Sequence, residues 1–204
     1  PAVLTGLNRE FLAGPRLDDL LCAFGCLQGF LAAEESGSLP VLAVFHNEEV
    51  GSGTRQGADS TFLTDVLERF CDRLGYLGES CRIAAAESFL VSADNAHAVH
   101  PAHPEYADGQ EAPVLNGGIV VKYSAAQRYT TDALSDALFR EICGDARVPV
   151  QRYSNRADLP GGATLGNISA AHLSVHSIDI GLPQLAMHAA YEVAGARDYQ
   201  YLVR

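Results

Sequence analysis

Apolar residues recur along this chain in two rhythms. In the first, Leu17, Leu20, Leu21, Phe24, Leu27, Phe30 and Leu31 stand three and four positions apart between Leu17 and Ala33, which is the spacing of one helix face. Gly14-Pro15 punctuates its start, and Asp18 and Asp19 fall in its first turn, where the helix dipole favours anions; Asp19 is assigned that role alone. A second helix is predicted over Thr61–Leu74, with Phe62, Leu63, Val66, Leu67, Phe70 and Leu74 on one side and Gly75 closing it. Thr131–Ile142 reads as another, and Ile83–Ala86 as the end of a short one.

The second rhythm is the short apolar run. Val41–Phe45 is β-branched and aromatic, bounded by Pro40 and by the glycines after it, so it reads as a buried strand. Phe89–Ala93, Ile119–Tyr123, Val148–Tyr153 and Val175–Ile180 are further strand candidates. The loop from Asp158 leads into a short helix, and Gly181–His188 is predicted to run into a terminal helix. Strands alternating with helices imply a layered α/β sheet, with no internal repeat or linker.

Composition narrows the class. The chain has 204 residues, 48% hydrophobic and 19% charged, enough for one sizeable core. A formal net charge of -11 argues against nucleic-acid or anionic-membrane surfaces, which need clustered Lys and Arg. No stretch approaches the roughly 20 apolar residues of a spanning helix. The five cysteines lack close CxxC pairs, which suggests reduced thiols packed as small hydrophobes and a cytoplasmic location.

Chemistry concentrates where runs end. Glu48 and Glu49 follow Val41–Phe45 and precede a glycine-rich loop, at the edge where open α/β sheets bind ligands. Neighbouring carboxylates point apart and can take separate roles, one on a metal and one on a water; a solvated acidic turn fits these two residues equally well. Asp94 follows a second run, and His97, His100 and His103 recur every three residues. Pro101 and Pro104 break any helix there, so His97 is kept as the functional histidine. Asp18, Glu48, Glu49, Asp94 and His188 form an inventory of carboxylates and imidazole that suits zinc or a similar divalent ion. The phosphate-loop, dinucleotide, HExxH and GxSxG signatures are absent.

Gly14-Pro-Arg-Leu-Asp-Asp-Leu, His46-Asn-Glu-Glu-Val-Gly-Ser, Ser92-Ala-Asp-Asn-Ala-His-Ala-Val-His-Pro, Gln127-Arg-Tyr and Pro183-Gln-Leu-Ala-Met-His, in this order, carry a resemblance to the aspartyl aminopeptidase family. That resemblance implies a three-layer αβα sandwich with a mixed, mostly parallel sheet of the phosphorylase/hydrolase-like zinc-peptidase type. It implies hydrolytic removal of N-terminal Asp or Glu from peptides by a metal-activated water. Two divalent ions, zinc or else cobalt or manganese, would be held with Asp18 bridging, Glu49 and His188 on one and Asp94 on the other. Glu48 would be the general base, and His97, Lys122 and Tyr129 would touch substrate, Lys122 supplying the positive charge an acidic side chain needs. Family members also build dimer-based homo-oligomeric shells.

The chain departs from the family at its front. It begins just before Arg16-Leu-Asp18, so the expectation is a single catalytic-domain fragment over 1–204. The upstream part with its ligand histidine and the dimerisation domain are expected to be absent, leaving the second metal position weak or empty. An apolar edge would then be exposed and favour self-association. The competing expectation is a metal-poor scaffold module of the same fold.

Overall fold

A computed structural model describes residues 1–34, 36–76 and 78–204. In chain order its elements are β1 (Val3–Thr5), β2 (Phe11–Gly14), α1 (Leu17–Ala32), α2 (Phe62–Leu74), α3 (Glu79–Ala86), β3 (Phe89–Ala93), β4 (Ala96–His97), β5 (Ile119–Tyr123), α4 (Ala133–Asp145), β6 (Val150–Ser154), α5 (Gly166–Leu173), β7 (His176–Gly181), β8 (Pro183–Leu185), β9 (Glu192–Gly195) and α6 (Ala196–Val203). Short 3-10 turns cover Glu48–Val50 and Pro104–Tyr106. The result is a mixed α/β fold, as the alternation of elements predicts.

Two sheets carry the strands. One has the order β3-β7-β5-β6, with β3–β7 and β5–β6 parallel and β5–β7 antiparallel. The other runs β1-β2-β9-β8-β4 and is antiparallel except at β4–β8. Ile119, Val121, Ile178 and Ile180 pack with Phe139 and Cys143 of α4 and with Val148 in the first core cluster. Leu17, Leu21 and Cys22 of α1 meet Leu182 and Ala194 in the second. Leu202 of α6 lies against both clusters, so one apolar mass spans the two sheets and anchors the start of α1.

Three expectations need correction. Val41–Phe45 forms no strand: neither sheet receives it, and Val41 and Val44 are 56% and 63% exposed. A β-branched run becomes a strand only where another backbone completes its hydrogen bonds. Gly181–His188 does not lead into a helix directly; β8 and β9 come first, set by pairing with β4 and β2, and α6 follows. Finally, not all cysteines are free thiols. Cys71 and Cys81 pair as a disulfide with Cα atoms 5.8 Å apart, joining α2, which Gly75 ends in the left-handed region, to α3. Cys22, Cys26 and Cys143 are free.

The α2 helix keeps its amphipathic rhythm without burying its apolar side. Phe62, Val66, Phe70 and Leu74 all stay exposed. Among the described residues no helix is long and apolar enough to cross a membrane.

Candidate metal centre

The centre is assembled from three parts of the chain. Asp18 opens α1 just after β2, Glu48 and Glu49 occupy the 3-10 turn, and His188 lies in the loop between β8 and β9. His188 Nε2 stands 3.1 Å from Asp18 Oδ2 and 3.1 Å from Glu49 Oε1. These three offer donor atoms within 4.8 Å of one another, and Asp18, Asp19 and Asp94 form a second such group sharing Asp18.

The local sequence explains the turn that carries the glutamates. Asn47 takes a left-handed backbone, and its Oδ1 bonds His46 Nδ1 at 2.7 Å and accepts from Gln56 Nε2 at 3.1 Å. The amides of Gly51 and Ser52 then donate to the carbonyls of Glu48 and Asn47. Gly51 ends the turn at φ 97°, a conformation that residues with a Cβ avoid. The glycine-rich loop thus closes on itself around Glu48 and Glu49.

Negative charge accumulates here with little compensation. Burial, then the charges of Asp94 and Glu49, push Asp18 up to about 8. Burial and the same two neighbours likewise push Glu48 up to about 7, although Lys122 and His188 pull the other way. Asp19 is raised well above its ordinary range by burial and by Asp94, and its Oδ1 is buried without a hydrogen-bond partner. Its carboxylate thus lies with those of Asp18 and Asp94, in the first turn of α1. A carboxylate cluster this concentrated fits a divalent cation, and the first group's two oxygens and one imidazole nitrogen are the donor chemistry of zinc.

The remaining residues singled out in the sequence gather beside the cluster. Lys122 is 3% exposed, with Nζ 3.1 Å from Asp94 Oδ2 and 5.6 Å from the centre of the Tyr129 ring. Burial opposes its charge, but Asp94, Tyr129 and Asp179 outweigh burial and raise its pKa. His97 ends β4, and desolvation followed by the charges of Lys122 and His188 lowers its pKa. Tyr129 is buried edge-on to Tyr153, with ring centres 6.4 Å apart.

Several supporting groups escape sequence reasoning. Asn95 donates to the carbonyl of Leu17 at 2.9 Å and to Gln184 Oε1, while accepting from Cys22 Sγ at 2.9 Å. Thr164 donates to Asp94 Oδ2 at 3.0 Å. Asn95 and Gln184 lie inside the motifs quoted above, where a polar residue beside a ligand is the available signal; Thr164 sits in a loop with none.

Comparison with known proteins is consistent along the whole chain. Residues 1–204 match the sequence model of the Peptidase_M18 family, described as "Aminopeptidase I zinc metalloprotease (M18)". The "Probable M18 family aminopeptidase 2" of Clostridium acetobutylicum is 45% identical over 199 residues, which is 98% of this chain and 46% of that protein. The chain therefore spans about half the length of the curated relatives it matches. Among solved structures, one in the cryo-EM structure of the Ape4 and Nbr1 complex is 39% identical with TM-score 0.93, covering 99% of this chain and 39% of that one. A chain of the S. cerevisiae mApe1 dodecamer is 29% identical with TM-score 0.84, covering 99% and 46%.

Proposed function

The chain belongs to the M18 family of aminopeptidase I zinc metalloproteases, and from that premise we propose that it carries the catalytic centre of an aminopeptidase releasing acidic N-terminal residues from peptides. The observation that carries the reading is the Asp18–Glu49–His188 group, with both carboxylates 3.1 Å from one imidazole nitrogen and the free carboxylate of Glu48 one residue away. Asp18, Glu49 and His188 would hold one zinc, and Asp18, Asp19 and Asp94 a second ion on oxygen donors alone. When bound, zinc polarises the scissile carbonyl and makes water a better nucleophile.

The chain's own residues do the rest. Glu48, half-buried and with its pKa near neutrality, takes the proton of the attacking water and returns it to the departing amine. Lys122, His97 and Tyr129 form the flank that receives the N-terminal side chain. Lys122 supports the acidic preference: it is a buried cation beside the cluster, and burial strengthens its pull on a substrate carboxylate. The mApe1 structure is a dodecamer, which supports assembly of this chain into homo-oligomers.

The test is hydrolysis of aspartyl and leucyl chromogenic amides. Glu48→Gln is expected to lower kcat by about 10²–10⁴-fold, the usual range for a lost acid–base group, with zinc content unchanged. Chelation should abolish activity and zinc should restore it. Full activity in the Glu48→Gln variant overturns the base assignment, and faster cleavage of the leucyl substrate overturns the acidic preference.

A further inference from the structure

Glu192, the first residue of β9, is 2% exposed, and nothing in the mechanism above uses it. Both of its carboxylate oxygens are engaged by backbone amides, one from 174 positions away and one from four. Oε2 accepts the N–H of Asp18 at 3.1 Å and Oε1 accepts the N–H of His188 at 2.7 Å. These are the amides of two of the three residues in the Asp18–Glu49–His188 group.

The fold delivers the carboxylate to that point. The β2–β9 ladder pairs Gly14 with Glu192, so the turn from β2 into Asp18 starts beside it. The loop from His188 returns to it four residues later. His188 has φ 66°, in the left-handed region that a side-chain-bearing residue rarely adopts. A hydrogen bond from its amide to a carboxylate helps to hold it there, since such charge-assisted bonds are stronger than neutral ones.

We propose that Glu192 is a positioning residue of the metal centre, a single buried carboxylate that clamps the backbones of Asp18 and His188 together and so fixes the separation of their side-chain donors. The proposal rests on the metalloaminopeptidase reading. It differs from simple space filling because glutamine has nearly the same volume but offers one acceptor and one donor. In a Glu192→Gln variant, a backbone N–H would face the amide NH₂ and one of the two clamped amides would be released.

Zinc affinity of the purified chain, measured by competition with a chromogenic chelator, tests this together with hydrogen exchange of backbone amides by NMR. Glu192→Gln is expected to bind zinc about 10–100-fold more weakly, the usual effect of removing a group that orients a metal ligand. Protection should fall at the Asp18 or His188 amide and stay unchanged along the β2–β9 ladder. Zinc binding within twofold of wild type, with both amides still protected, overturns the proposal. If the variant does not fold, the wild-type metal-free chain decides: protected Asp18 and His188 amides uphold the clamp, and amides that exchange as fast as open loop overturn it. Failure of the wild-type chain to bind zinc would instead sink the functional reading, an outcome distinct from equal zinc binding by wild type and variant.

Discussion

Asp18 and Glu48 hold protons that a cation would expel. Both are raised first by burial, to about 8 and about 7, so near neutral pH each is partly protonated in the metal-free chain. A folded-state pKa raised above the unfolded value favours the neutral form. The stability these groups contribute is therefore full below about pH 4 and is lost as pH rises through about 7 and 8. A bound divalent ion reverses this by favouring the ionised forms. Zinc binding at pH 7 is expected to release protons, and the apparent affinity to climb with pH and level off above about 8. Titration calorimetry in buffers of different ionisation enthalpy measures the release directly; none at pH 7 would show that these carboxyls are already ionised. At this scale the sequence was informative where a motif was dense. Asp18, Glu49, Asp94 and His188 stand in dense motifs and meet in space, whereas the burial of Asp19 beside Asp94 leaves no signal in a first-turn aspartate.

The elements show why local pattern carried so far and no further. Helices α1, α2 and α4 follow from a rhythm that each helix contains within itself. Strands β1, β2, β8 and β9 are three or four residues long and exist because distant partners complete them, so no local rhythm announces them. The converse error, Val41–Phe45, has the composition of a strand but no partner. Close approach between elements is equally hidden in sequence. Gly181, at the end of β7, comes so near β3's continuation that a Cβ there would collide with the carbonyl oxygen of Asp94, while the Asp94 amide already donates to Ile180 at 3.1 Å. Gly181→Ala is thus expected to cost about 1–3 kcal/mol, as overpacked sites do, and to weaken zinc binding by moving Asp94. Gly144→Ala, in open space on α4, is expected to be neutral or to stabilise by up to about 1 kcal/mol. Urea denaturation and zinc titration of the two variants separate these outcomes.

For the whole molecule, the notable surface is apolar. Phe62, Val66 and Phe70 of α2 are 49%, 48% and 41% exposed, although α2 has the strongest amphipathic spacing in the chain. Val41, Val44 and Val50 add to the exposed apolar residues. Surfaces of this kind drive association in water, and we expect the chain to self-associate at micromolar concentration. A Val66→Glu, Phe70→Glu double variant should shift the equilibrium toward monomer without lowering zinc affinity. Light scattering across a concentration series measures this; a wild-type chain that stays monomeric throughout refutes it.

The clamp that joins Asp18 to Glu192 spans 174 positions of sequence, and this sets an order of events during synthesis. Asp18, Glu48 and Glu49 leave the ribosome well before His188 and Glu192. A nascent chain can gather carboxylates but has neither the imidazole nor the residue that orients it. Tight zinc capture therefore waits until synthesis has passed Glu192, and an occupied centre marks a chain made at least as far as β9.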